Sequence, residues 1–205
     1  MRSHEIAPRM KLLVVLCHPR PDSFTAAIRD VAVEALAKAG HTIDLLDLYA
    51  EGFEPVMSAG ERGDYHTREV NRKPVADHLA RVKAAEGLIF IYPTWWYAQP
   101  AMLKGWLERV FLPHETFSMP EGNQPIKGLL PNIRLIAALT TLGSPRWWWW
   151  LMGMPGRRIL LTGIRALCAP RCRTLWLALH RIDVVGEGAR RAHLERVRRE
   201  MGEIR

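Results

Sequence analysis

The chain has 205 residues, enough for one domain with a full core, and its 48% hydrophobic and 24% charged content is that of a soluble globular protein. Its formal charge of +8 is unevenly placed: from Gly122 to Ile182 there is no Asp or Glu, while nine lysines and arginines fall in that segment. No window supplies the roughly 18 uncharged apolar residues of a membrane span, and MRSHEIAPRM has no apolar signal-peptide core, so a cytoplasmic location is expected.

Residues 1–10 read as an N-terminal extension without order. KLLVVLC (Lys11–Cys17) is a continuous apolar run of strand length, followed by the turn HPRPDS and a helical pattern from Phe24 to Ala39 that ends at Gly40. HTIDLLDLY (His41–Tyr49) reads as a second strand. Glu51–Lys73 reads as a long loop, Val75–Ala85 as a helix, and GLIFIY (Gly87–Tyr92) as a third, fully apolar strand. Pro100–Phe111 sets Met102, Leu103, Trp106, Leu107, Val110 and Phe111 on one helical face. Asn132–Thr140 and Arg173–His180 read as the fourth and fifth strands, and Glu187–Met201 as a terminal amphipathic helix.

Strands alternating with helices imply right-handed crossovers and a parallel sheet covered on both faces. Five such units fit an α/β, flavodoxin-like doubly wound sheet of order 2-1-3-4-5, forming a single domain over residues 11–205. In that architecture a ligand sits beyond the carboxyl ends of the strands, between the first and the third, where strand order reverses.

Two loops occupy that position. HPRPDSFT leads into a helix N-terminus, which favours a phosphate through its free N–H groups and dipole; the same residues also make a plain capped turn. YPTWWY follows the third strand directly, so its rings stand at the sheet edge, where flat apolar surfaces beside an anion site suit a flat aromatic cofactor. TTLGSP (Thr140–Pro145) ends the fourth strand at the same edge and offers N–H groups and hydroxyls to the polar end of such a ring. Arg146, directly after it, is a candidate for the phosphates of a dinucleotide. Trp147–Trp150 read as subunit interface or pocket wall rather than membrane contact, because four adjacent rings point round a helix.

Other features have plainer readings. Cys17 reads as a small buried hydrophobe, and Lys104 with Glu108 as a surface pair one turn apart. Cys168 and Cys172 lack the second ligand pair of a zinc site, so no metal is expected. No DNA- or RNA-binding motif spacing is present, so nucleic acid is not an expected partner.

The segment YPTWWYAQPAMLKGWLERVF resembles the signature of the NAD(P)H:quinone oxidoreductase family, the flavodoxin-like FAD or FMN enzymes related to DT-diaphorase and modulator of drug activity B. CHPRPDSF before the first helix and DLYAEGFEPVMS after the second strand resemble it too, and the matching segments span residues 11 to about 145. The resemblance implies FAD (with FMN possible) as cofactor, NAD(P)H as electron donor, a quinone or similar acceptor, and a homodimer. It puts His18, Ser23, Phe24 and Thr25 on the phosphate side and Pro93, Thr94, Trp95, Trp96 and Tyr97 along the isoalloxazine. Thr140, Thr141, Leu142 and Gly143 fall at its pyrimidine end. Leu142 stands where the family's TTGG has its first glycine, and Trp148 and Met154 stand where some members place a tyrosine and a histidine. Arg146 and Trp148 are accordingly candidates for the substrate side. A flavin-containing regulatory or interaction subunit without turnover is the alternative function.

Overall fold

The computed structural model describes residues 9–120, 122 and 124–205. Five parallel strands, β1 (Lys11–Leu16), β2 (Thr42–Asp47), β3 (Gly87–Pro93), β4 (Leu135–Leu142) and β5 (Arg173–His180), form one sheet in the order β2-β1-β3-β4-β5. This is the flavodoxin-like, doubly wound arrangement that the strand–helix alternation implies. Among the described residues, no helix is long and apolar enough to cross a membrane.

The central strands read as unbroken apolar runs because both faces of the sheet are covered, and alternate side chains go to opposite cores. Leu13, Val15, Leu88, Phe90, Tyr92, Ile136 and Ala138 face one, with α3 (Ala76–Ala84) and α4 (Ala101–Val110). Leu12, Val14, Leu16, Ile89, Ile91, Ala137 and Leu139 face the other, with α1 (Phe24–Lys38) and α7 (Glu187–Gly202). Cys17 is fully buried, as expected of a small hydrophobe, and burial pushes its thiol up to about 12.

The sequence places β4 at 132–140, whereas the ladder runs from Leu135 to Leu142. Asn132 is held out of the ladder, donating its side-chain amide to the carbonyls of Lys83 and Ala85 at 3.1 and 2.6 Å. At the other end the pairing continues until Leu142 meets His180. Of the expected extension 1–10, residues 1–8 lie outside the described residues. Met10 is buried, and its N–H donates to His41 Nδ1 at 3.2 Å.

The expected loop from Glu51 to Lys73 contains a short helix, α2 (Ala59–Asp64), closed by a capping box. Ser58 Oγ accepts from Glu61 N at 3.1 Å, and Glu61 Oε2 accepts from Ser58 N at 2.9 Å. Glu61 also accepts from Arg109 of α4 at 2.6 and 2.9 Å, and Arg109 lies 5.1 Å from the centre of the Phe53 ring. Gly105 of α4 sits against Pro55, where a Cβ would overlap the Pro55 carbonyl. The Gly and Arg of LKGWLERVF therefore clamp this loop to the body of the fold.

Between β4 and β5 the chain forms α5 (Arg146–Leu151), α6 (Pro155–Arg158), a π-helical turn (Ile159–Gly163) and a 3₁₀ turn (Ile164–Leu167), none of which periodicity foretells.

Candidate functional site

Three loops meet at the carboxyl edge of the sheet. The first leaves β1 at Cys17 and enters α1 through Ser23, whose hydroxyl caps the helix by accepting from Ala26 N at 3.1 Å. His18 turns back on its own loop, with Nδ1 accepting from Arg20 N at 3.0 Å, and desolvation holds its pKa below the ordinary imidazole value. Arg20 pairs with Asp22 at 2.7 Å on the open side. Phe24 packs into the α1–α7 core with its ring centre 6.3 Å from that of His193, and Thr25 is buried.

The second loop departs from ordinary backbone geometry. Trp95 and Ala98 exchange hydrogen bonds at 3.2 and 3.0 Å, closing a two-residue hairpin whose central residues, Trp96 and Tyr97, have φ of 48° and 64°. Positive φ at both central positions is the requirement of a type I′ turn, normally met by Asn-Gly. Aromatic residues in that region are strained by roughly 1–3 kcal/mol each, and they persist only where surrounding contacts hold them.

Those contacts are present. Gly156 N donates to the Tyr97 carbonyl at 3.1 Å, and Gln99 Nε2 donates to the Gly156 carbonyl at 2.8 Å, so the turn is bound to the start of α6. A Cβ at Gly156 would come within 3.0 Å of Ala98 Cα, which is why that position carries glycine. At the other end, Thr94 N donates to the Thr141 carbonyl at 2.8 Å, and the Thr94 and Thr140 hydroxyls lie 2.8 Å apart. The outcome is a rigid turn that presents Trp96 at 93% exposure.

The third loop begins later than TTLGSP suggests. Thr140, Thr141 and Leu142 are buried within β4, and the open edge consists of Gly143 and Ser144. Beyond them Trp148, on α5, donates its indole N–H to the Tyr97 hydroxyl at 3.0 Å. Arg146 points elsewhere: it lines a separate concavity on the far flank of α5.

These loops frame two adjoining cavities. One, of about 310 Å³, is lined by Thr94, Trp96, Tyr97, Leu142, Gly143 and Ser144. The other, of about 490 Å³, shares Thr94, Trp96 and Gly143 and adds Pro93, Trp95, Thr141, Ile182 and Asp183. His18 joins the cluster through its ring, 6.3 Å from that of Trp95.

Three neighbours escape the sequence reading. Ile182 N donates to the Leu142 carbonyl at 3.0 Å, bringing the turn after β5 against the site, and Asp183 Oδ2 stands 2.6 Å from where a Gly143 Cβ would be. Arg190, at the start of α7, donates from Nη2 to the Ile182 carbonyl at 3.1 Å, while its Nε is buried without a partner among the described residues. The signal available was the position of Arg190 at a helix start that follows a strand of the same sheet.

A family model described as a flavodoxin-like fold matches residues 10–160. Among curated relatives, mouse ribosyldihydronicotinamide dehydrogenase [quinone] is 31% identical over 150 residues, covering 65% of this chain and 64% of its own. Rat NAD(P)H dehydrogenase [quinone] 1 is 33% identical over 150 residues, covering 65% of this chain and 54% of its own. The matches thus span roughly half to two thirds of those relatives. The crystal structure of Smu.1420 from Streptococcus mutans UA159 superposes with a TM-score of 0.81 at 28% identity, over 95% of this chain and all of that one.

Proposed function

Because the chain belongs to the flavodoxin-like fold family, we propose that its carboxyl-edge site holds a flavin, FAD or FMN, and that the protein is an NAD(P)H oxidoreductase passing electrons to a quinone or similar acceptor. The observation that carries this reading is the strained turn Trp96–Tyr97, held rigidly beside the two adjoining cavities. The names of the mouse and rat relatives, both quinone dehydrogenases, support the acceptor class.

The residues fit the group. Trp96 and Tyr97 offer flat surfaces for a fused aromatic ring, and the Gly143–Ser144 edge leaves backbone accessible at its polar end. The capped N-terminus of α1 offers free N–H groups to phosphate. A flavin, when bound, supplies hydride acceptance from NAD(P)H and delivery to the quinone. The protein's part is to stack, orient and exclude water: Trp148 fixes the Tyr97 hydroxyl, the Thr94–Thr140 contact fixes the root of the turn, and no side chain need exchange a proton for hydride transfer. A homodimer belongs to the same reading.

Titrating FAD and FMN into flavin-free protein, then following NAD(P)H oxidation with a quinone, tests this. Stoichiometric quenching of flavin fluorescence with parallel double-reciprocal lines is expected. Binding without turnover would favour the regulatory subunit, and absence of quenching would remove the flavin altogether.

A further inference from the structure

On the far flank of α5 a second concavity, of about 460 Å³, is built from four elements. Arg146 and Trp149 come from α5, Arg157 from α6, Trp176 and His180 from β5, and Arg196 from α7. None of these six lines the cavities beside Trp96.

Charge and shape are both unusual here. Three guanidiniums open on one hollow, and among the described residues none of them has an Asp or Glu partner. Like charges gathered round a low-dielectric wall repel one another and focus a positive potential on the space between them. The wall is flat: the Trp149 and Trp176 rings stack 5.3 Å apart at 12°, with His180 edge-on to Trp149 at 5.6 Å. Trp149 is only 4% exposed, and among the described residues the indole N–H groups of Trp149 and Trp176 both lack an acceptor. Buried donors are nearly always paired, so two orphans on adjoining wall residues mark a place where an acceptor is missing. The volume falls within the range of small-molecule sites, roughly 300–1,000 Å³.

We propose that this hollow is a second binding site, for a flat aromatic ring bearing one or two acidic groups such as carboxylate or sulfonate. The ring lies against the indole wall, and the acidic groups take the guanidinium donors, which suit planar, two-pronged anions. A free inorganic anion satisfies the charges but leaves the wall bare, so it binds more weakly.

The test is calorimetric titration of the purified protein with 1,5-naphthalenedisulfonate, with inorganic phosphate and neutral naphthalene-1-methanol as comparisons at constant ionic strength. One saturable site for the disulfonate is expected, weakened at least tenfold by Arg157→Gln with Arg196→Gln. Arg171→Gln, an exposed arginine of the same basic segment away from the hollow, should leave it unchanged. Both sets of substitutions are at surface-reachable side chains, and circular dichroism confirms that the variants fold. No disulfonate binding, equal binding of phosphate or of the neutral alcohol, or equal loss in Arg171→Gln would each overturn the proposal. Since the readout is binding at a site free of flavin, it stands or falls independently of the oxidoreductase reading.

Discussion

The Trp148 indole N–H donates to the Tyr97 hydroxyl across 3.0 Å, joining a helix that follows β4 to a turn that follows β3. This bond ties the tip of the ring-bearing turn to α5, and it depends on a donor that only Trp supplies at this position. Trp148→Phe keeps an aromatic side chain, though a smaller one, and removes the donor. It should weaken flavin binding or turnover about threefold to tenfold, the worth of one hydrogen bond of about 1 kcal/mol, with the fold's melting temperature nearly unchanged.

Trp96 and Trp149 should separate binding from stability. Trp96 is 93% exposed, so Trp96→Ala should lower flavin affinity, by the roughly 0.5–1.5 kcal/mol of a lost ring stack plus its area, and leave denaturant stability within error. Trp149 is buried against Trp176, and Trp149→Ala should destabilise the fold by about 3–5 kcal/mol. Equal urea midpoints for the two variants would contradict the assignment of these rings.

The turn itself is predicted to trade stability for function. Trp96→Asn with Tyr97→Gly installs the pair that prefers positive φ at both positions, and should raise the unfolding free energy by about 1–3 kcal/mol while abolishing flavin binding. Urea unfolding and flavin titration on the same preparation measure both sides. A double variant no more stable than wild type would mean that the turn carries no strain.

Gly105→Ala should destabilise even though alanine is the better helix former. Its Cβ would overlap the Pro55 carbonyl and sit 2.6 Å from Pro55 Cβ, and such overpacking typically costs about 1–3 kcal/mol. Thermal melts would show it, together with faster proteolysis in the segment 51–65, which would lose its seat on α4.

His193 gives the fold an acid-sensitive point. It is buried with Nε2 unpartnered among the described residues, and desolvation, with Arg196 nearby, drops its pKa from 6.5 to about 4. The folded state thus keeps it neutral while the unfolded chain protonates it. Stability present above about pH 6.5 is lost as pH falls toward 4, by roughly 3 kcal/mol in all. His193→Leu should flatten that part of the urea-midpoint profile between pH 7.5 and 4.5.

The fold was largely legible because β1, β3, β4 and β5 announce themselves as short apolar runs and α1, α4 and α7 by spacing. What was missed follows from short range or long reach. α2 is one turn and a half, too short for periodicity, although Ser58-x-x-Glu61 carried a capping-box signal. The stretch Arg146–Leu167 switches between α, π and 3₁₀ geometry, so no single period runs through it. At the site, the ring loop's position was readable from its place after β3, whereas its two-residue turn was hidden, because Trp-Tyr is not a pair that asks for positive φ. Ile182 and Asp183 reach the site only through the packing of the β5–α7 turn on β4, a relationship between residues some forty positions apart.

The acid-free run from Gly122 to Ile182 has a consequence for how this molecule meets changing surroundings. Its cations are mostly arginines, which stay protonated throughout the range in which proteins are folded, and it has no carboxylate to neutralise as pH falls. His180, its one histidine, has its pKa held below the ordinary value by burial. Around neutral pH, protons therefore do little to the charge of this part of the chain, the exception being the Cys172 thiol, which its contact with Cys168 holds below the ordinary value. Dissolved ions can, since exposed charges are screened within about 8 Å at physiological ionic strength. Whatever anion these arginines attract, its capture is governed more by salt than by acidity.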